Sequence, residues 1–494
     1  MPRSAFPCQR HAAPVSRRNF LWELGGGLGG VALTALLAEE QARAAARVAG
    51  PAVANPLAPK PPMFPAQAKA VIQIFCPGGL SHLDTFDHKP ELVKRAGTPF
   101  DTSGEVQFFA SKPGNCQPSY WPFRQHGECG RWVSDLLPNL AGLVDELAFI
   151  HSMQSKTALH GPAMFMANSG FILPGFPSMG AWVTYGLGSE ADDLPAFVVL
   201  PDMRGLPPGG PINWGAGFLP AIHQGTVIET AADKPPIADL FPPEADRQIM
   251  AGEPAGREFL ALLNQRHLEP RAEQSELAAR IAAYELAARL QLSAPEVTDL
   301  ADESATTTKL YDIDHESIGP FGRQCLLARR LVERGVRFVQ IYCGAENTGS
   351  EPIRPNWDSH EDLVRDHGYW GPILDRGASA LISDLKARGM LDSTLVICSS
   401  EFGRQPAAQG KGRDHNAGAF TVWMAGGGIK GGTSYGTSDE LGFAAAEHPT
   451  YCYDLHATAL HLLGIDHTRL TFYNNGIERR LTDVHGHVIH DLLA

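Results

Sequence analysis

The stretch AVIQIFCPGGLSHLDTFD, from Ala70 to Asp87, sets the architecture. Its first six residues are apolar apart from Gln73, and a Pro-Gly-Gly turn cuts them off. An apolar run without alternation reads as a strand buried on both faces, as the strands of a parallel sheet are. Val336–Tyr342 (VRFVQIY) and Thr394–Cys398 (TLVIC) have the same form. Shorter runs lie at Leu147–Ile150, Ala196–Leu200 and Ala419–Met424. Helical periods fall between them, at Leu136–Glu146, Pro320–Arg334, Arg376–Gly389 and Asp454–Leu463. This alternation predicts an α/β fold: a doubly wound, mostly parallel sheet with helices on both faces, carrying loop and helix insertions. Gly and Pro cluster between Pro201 and Pro220, which predicts a long irregular loop. The Ala/Glu/Arg/Leu-rich segment Glu269–Leu292 predicts one long surface helix.

Open sheets of this kind bind ligands beyond the carboxyl ends of their strands, so the polar residues that follow each strand carry the interest. After the first strand come Ser81, His82 and Asp84. After Tyr342 lies Asn-Trp-Asp-Ser-His, with Asp358 and His360. After Cys398 come Glu401 and Arg404, and soon Asp414 and His415. These strand ends would thereby deliver acids and imidazoles to one edge. Arg404 reads either as a salt-bridge partner of Glu401 or as an anion clamp. His367, Asp375, His456 and His461 lie on or beside predicted helices and read as structural. The glycine-rich run Gly426–Gly432 lacks the Lys-Ser/Thr ending of a phosphate loop and reads as a turn.

The amino-terminal residues have a different character. Ser16-Arg17-Arg18-Asn19-Phe20-Leu21 is followed by a Gly/Leu/Ala stretch to Ala38 and by Ala42-Arg43-Ala44, the small-x-small form of a cleavage site. About fifteen weakly apolar residues fall short of the roughly twenty that span a bilayer. Residues 1–46 therefore read as a twin-arginine signal peptide, which implies the twin-arginine export machinery as partner and a periplasmic or extracellular location. Residues 47–66, rich in Ala and Pro, read as a linker, and 67–494 as one domain without a transmembrane anchor.

The formal net charge of -13 over 494 residues argues against nucleic acid or an anionic membrane surface as partner. Seven cysteines follow the leader without any Cys-x-x-Cys spacing, so a structural zinc site is not expected. Cys116 and Cys129 share one Gly/Pro-rich segment and are near enough in sequence to form a disulfide in an oxidising compartment. Cys76, Cys343 and Cys398 lie in apolar runs and read as buried bystanders.

At several of these residues the chain resembles a known family, the secreted sulfatase-like proteins called domain of unknown function 1501, of the alkaline phosphatase superfamily. The marks are Gly78-Gly79-Leu80-Ser81-His82-Leu83-Asp84-Thr85-Phe86-Asp87, Pro177-Ser178-Met179-Gly180-Ala181-Trp182-Val183 and Glu401-Phe402-Gly403-Arg404. Gly426–Gly432 and Tyr453-Asp454-Leu455-His456-Ala457-Thr458 continue it to the end. The resemblance implies a nucleophile at a helix N-terminus attacking a phosphate or sulfate ester, with one or two divalent metals stabilising developing charge. His160-Gly161-Pro162-Ala163-Met164 stands where sulfatases carry Cys-x-Pro-Ser-Arg, which puts His160 at the nucleophile position; Thr157 is the alternative in another register. As a helix-start histidine, His160 has an equally good structural reading.

The resemblance implies metal ligands among His82, Asp84, Asp358, His360, Glu401 and His415, and a divalent ion such as zinc, calcium or manganese. It departs from the family pattern at Pro77-Gly78-Gly79, where acids are usual, and at Phe402, where an imidazole is usual. Two functions remain open: a metal-dependent hydrolase of phosphate or sulfate esters with a non-standard site, or a non-catalytic relative using the cleft to bind an anionic glycan or a protein partner.

Overall fold

The computed structural model describes residues 56–101, 114–230, 253–271, 297–347 and 353–494, with isolated residues 112, 277 and 281. The leader reading and residues 47–55 lie outside the described residues. The chain divides into two compact units, residues 55–245 with 274–494, and residues 1–54 with 246–273. The sheet and all the candidate site residues belong to the first. In the second, Glu253–Leu268 is helical and closes in a 3-10 turn at Glu269–Arg271. Glu269–Arg271, the start of the predicted long helix, is instead this turn, where Pro270, without an N–H, ends the preceding helix. Most of that predicted helix lies outside the described residues.

The strands of the central sheet and its companion hairpin are β1 Ala70–Phe75, β2 Leu147–Gln154, β3 Phe197–Leu200, β4 Thr226–Val227, β5 Phe338–Tyr342 and β6 Thr394–Ser399. They continue with β7 Gly403–Gln409, β8 Gly412–Asn416, β9 Phe420–Ala425, β10 Thr433–Tyr435 and β11 Thr450–Tyr451. The sheet order is β10-β2-β9-β6-β1-β5-β3-β4, with β11 added on β2. Every pairing is parallel except those of β9 with β2 and β6. β7 and β8 form a separate antiparallel hairpin. All six predicted strands are present, and the doubly wound α/β expectation is correct.

Burial on both faces explains the unbroken apolar runs. Val71 and Phe75 of β1 pack on one side with Trp182 and Val183 of α2 (Met179–Leu187) and Leu455 and Leu460 of α5 (Cys452–Leu462). Ile72 and Ile74 face the other side, with Phe321 and Leu326 of α3 (Gly319–Glu333) and Ile373 and Leu381 of α4 (Leu363–Ala387). α4 begins thirteen residues before the predicted helix start at Arg376, capped by the Asp362 side chain on the Arg365 N–H. The Leu136–Glu146 period resolves into a short helix, Pro138–Ala141, and a 3-10 turn at Val144–Glu146. The described part of the expected linker is docked: Lys60 N–H donates to Leu187 O at 2.9 Å and Met63 N–H to Gly464 O at 2.8 Å.

Cys76, Cys343 and Cys398 are buried where β1, β5 and β6 end, as expected. Cys116 and Cys129 are both free and are not joined. Cys116 is packed among Leu83 and Leu92, whereas Cys129 lies against Gly432 and donates its N–H to Asp145. Sequence proximity did not bring their side chains together.

Three buried histidines make the fold sensitive to acid. Burial pushes His151, His223 and His456 down to about 4, with lesser influences from neighbouring charges or hydrogen bonds. The folded state keeps them neutral, whereas the unfolded chain takes up protons near pH 6.5. Their contribution is therefore complete above about pH 6.5 and is lost as pH falls toward 4, by about 2 kcal/mol each at pH 5. Denaturant unfolding should show a clear fall in stability from about pH 7 to about pH 5; an unchanged midpoint would refute this assignment.

Candidate active site

The carboxyl ends of β1, β2, β5 and β6 open on the same edge of the sheet. α1 (His160–Ser169) begins six residues after β2, with Leu159 as an N-cap that offers no side-chain acceptor. His160 is thus the first helical residue, its side chain 22% exposed. The loop after β5 carries Asp358 and His360; Glu401 follows β6, and His415 lies on β8 opposite Arg404 on β7. Distances of over 240 positions in sequence close to contact in space.

One oxygen is the focus. Asp358 Oδ1 lies 2.8 Å from His360 Nε2, 3.2 Å from His415 Nε2, 3.4 Å from His160 Nε2 and 2.6 Å from an Arg404 terminal nitrogen. His360 and His415 also face one another through their Nε2 atoms at 3.0 Å. The far nitrogens are all anchored. His160 Nδ1 lies 2.6 Å from Glu401 Oε1, His415 Nδ1 2.7 Å from the Ala158 carbonyl, and His360 Nδ1 2.5 Å from Gln409 Oε1. Phe402 walls the cluster, its ring centroid 4.9 Å from that of His160 and 4.7 Å from that of His415.

The electrostatics follow from this crowding. Burial works to raise the Asp358 carboxyl, but Arg404 and the three neighbouring imidazoles hold it far below the usual carboxylate range. Burial likewise opposes charge on His160, yet the Asp358 and Glu401 carboxylates carry it up to about 9. Burial pushes His415 down to about 4, against the pull of Asp358 and with help from Arg404.

Of the sequence candidates, the fold therefore brings together His160, Asp358, His360 and His415, with Glu401 and Arg404 directly behind them. It does not bring His82 or Asp84. His82 is buried with Nε2 2.9 Å from the Gly442 carbonyl. Asp84 is sealed in an ion pair with Arg413, both side chains 0% exposed, Nε to Oδ2 2.8 Å, and also accepts from Ser81 Oγ. The 3-10 turn His82–Asp84 turns these two away from the site.

Glu401 contributes as a support. Its Oε1 also accepts from the Gly78 N–H at 2.8 Å, and its Oε2 accepts from Ser400 Oγ at 3.1 Å. Arg404 is neither a partner of Glu401 nor an anion clamp. Its fully buried guanidinium donates to the carbonyls of Gly78, Gly79, Arg413 and Trp357 as well as to Asp358. With its side chain 0% exposed, Arg404 presents no surface to a substrate.

The departure at Pro77-Gly78-Gly79 has a steric cause. Gly78 has φ +106°, and a Cβ there would lie 2.5 Å from the Asp358 backbone nitrogen. Gly79 has φ +76°, and its Cβ would meet the Phe402 ring at 2.8 Å. An acidic side chain cannot occupy either place while the loop holds Asp358 where it is.

Sequence reading missed Gln409 and the Asp84–Arg413 pair. Neither has a spacing signal, since both depend on the β7/β8 hairpin folding back. Whether the cluster suits a divalent ion is answered by its donors. His160 Nε2 is buried without a hydrogen-bond partner among the described residues, and its ligand atom, that of Asp358 and that of His415 all lie within 4.8 Å of one another. Imidazole and carboxylate donors with anchored outer nitrogens fit such an ion.

Fold and site together define a doubly wound α/β protein with a histidine-rich centre at the carboxyl edge of its sheet. The chain belongs to the family described as "Protein of unknown function (DUF1501)", whose model matches residues 68–493. No curated protein matches the chain. Among solved structures it is similar to one titled Ps i-CgsB in complex with k-i-k-neocarrahexaose, at 14% identity over 81% of this chain and 72% of that one, TM-score 0.35. It is also similar to the PsFucS1 sulfatase from Pseudoalteromonas sp., at 14% identity over 84% and 74%, TM-score 0.34. A third is the phosphonate monoester hydrolase SpPMH from Silicibacter pomeroyi, at 12% identity over 81% and 73%, TM-score 0.33. Likeness at this level says nothing about chemistry. Among the described residues, no helix is long and apolar enough to cross a membrane.

Proposed function

We propose that the protein is an exported, metal-dependent hydrolase of phosphate or sulfate esters with a non-standard active site. The observation that carries this reading is the meeting of three imidazoles on Asp358 Oδ1 at the edge where doubly wound sheets bind ligands. A divalent ion held by Asp358, His360 and His415, with His160 beside it, would supply Lewis-acid polarisation of an ester oxygen. The chain's own residues do the rest. Glu401 holds the His160 ring through Nδ1; Arg404 ties Asp358 to the Gly78–Gly79 turn; Phe402 keeps water from one flank. The substrate class is an anionic ester, with a sulfated glycan as one form, and the site of action is the periplasm or exterior, reached through the twin-arginine leader.

One observation favours a second reading. Arg404 is consumed by the scaffold, so the site lacks the arginine that a phosphate or sulfate clamp would use, as expected of a non-catalytic relative that binds a glycan or protein partner. Turnover of aryl sulfates and aryl phosphates by the purified exported protein, with and without added zinc, calcium or manganese, separates the two. The hydrolase reading expects metal-dependent turnover that His160→Ala abolishes. A protein inert on both substrates under every metal would sink it.

A further inference from the structure

We propose that His160, Asp358, His360 and His415 form a single four-donor centre for a transition ion of the zinc class, with His160 as ligand instead of nucleophile. The inference rests on the same site as the hydrolase reading and deepens it. The convergence of four donor atoms, with every ring held at its outer nitrogen, carries the argument.

A neutral imidazole has one N–H and one lone pair, and whichever nitrogen donates leaves the other bare. His415 Nδ1 faces the Ala158 carbonyl and His160 Nδ1 faces the Glu401 carboxylate, both groups that only accept. His360 Nδ1 faces the Gln409 amide oxygen. An ion among them would meet three neutral rings, each keeping its one hydrogen on Nδ1 and turning its Nε2 lone pair toward Asp358 Oδ1. His360 Nε2 and His415 Nε2 stand 3.0 Å apart, 2.8 Å and 3.2 Å from that oxygen. Four donor atoms, three imidazole nitrogens and one carboxylate oxygen, thus converge from α1, the loop after β5 and β8, beside the Arg404 guanidinium. A tetrahedral ion with bonds of about 2.0–2.1 Å has donor-to-donor edges of roughly 3.3 Å, close to these spacings.

Burial places His160 in this set. Its Nε2 is closed off from solvent and 3.4 Å from Asp358 Oδ1, a poor position from which to attack a substrate atom and a good one for a ligand. The donor chemistry then selects the ion. Three imidazoles and one carboxylate suit zinc and its neighbours, whereas calcium takes six to eight oxygens and magnesium an octahedral oxygen shell. Glu401 and Gln409 are positioning residues, acting through the imidazoles they orient.

The test uses the full exported chain, stripped with a chelator and titrated with zinc alone, calcium alone and cobalt(II) alone. Expected are one zinc per chain, calcium binding weaker by at least ~100-fold, and intense visible bands from cobalt(II) in a four-coordinate nitrogen-rich site. Glu401→Gln should weaken zinc by roughly 10–100-fold, and His160→Ala by more. Wild-type cobalt(II) spectra keep the test decisive where a variant fails to fold. Equal affinity for calcium, cobalt bands of an octahedral oxygen site, or zinc affinity untouched by a folded His160→Ala variant would overturn the proposal. Zinc binding without turnover would leave it standing and defeat the hydrolase reading; turnover by a protein that binds no zinc would do the reverse.

Discussion

Arg404→Ala is expected to lower the stability of the sheet-bearing unit by at least about 4 kcal/mol, the range reserved for loss of a buried polar network. The guanidinium is fully buried and donates to four backbone carbonyls, from two loops and strand β8, and to Asp358. Truncation strands the carbonyls, at about 1–3 kcal/mol for each one that finds no substitute. It also leaves Asp358 without its cation, and breaking a buried pair from one side costs about 3–5 kcal/mol. Arg404→Lys should recover little, because an ammonium is a point charge and cannot span the planar fork that reaches Gly79 O with Nε and Arg413 O with the other arm. Denaturant unfolding of wild type and both variants measures this. A loss below about 1 kcal/mol in Arg404→Ala would show that the guanidinium does not organise these loops.

The second large effect is expected at Asp358. Asp358→Asn preserves shape but removes the one negative charge toward which three imidazoles and Arg404 converge. Metal affinity should fall by more than about 100-fold and any ester turnover should drop to background, since the loss removes a donor outright and not merely a support. The fold should persist but lose about 3–5 kcal/mol, because the amide oxygen still accepts from Arg404 while its buried charge is left unpaired. Metal content per chain, turnover and the unfolding midpoint read the three parts separately. Full metal content in Asp358→Asn would place the ion elsewhere. A collapsed fold would mean that the Asp358 charge is needed to neutralise Arg404.

Much of the architecture was legible in the chain. Residues 70–75 are apolar because β1 is sandwiched between the α2/α5 layer and the α3/α4 layer, and that double burial leaves an unmistakable trace. Strand ends were equally readable, since Gly and Pro interrupt them, and so the segments bearing Asp358, Glu401 and His415 could be named. The resemblance at Gly78–Asp87 and Glu401–Arg404 led to the family that residues 68–493 match.

The roles of those residues were not legible. Asp84 and Glu401 are both acids placed just after a buried strand, and by sequence they are equivalent. In space Asp84 is sealed against Arg413, while Glu401 steadies His160. The deciding partners are Arg413 on β8, 329 positions beyond Asp84, and His160 on α1, 241 positions before Glu401, and no local pattern encodes contacts at those separations. The sequence by itself determined the doubly wound sheet and the edge at which polar groups collect, because periodicity and burial are local properties. Only the tertiary structure decided which groups meet, because hydrogen-bond direction and charge pairing depend on how distant loops close over one another.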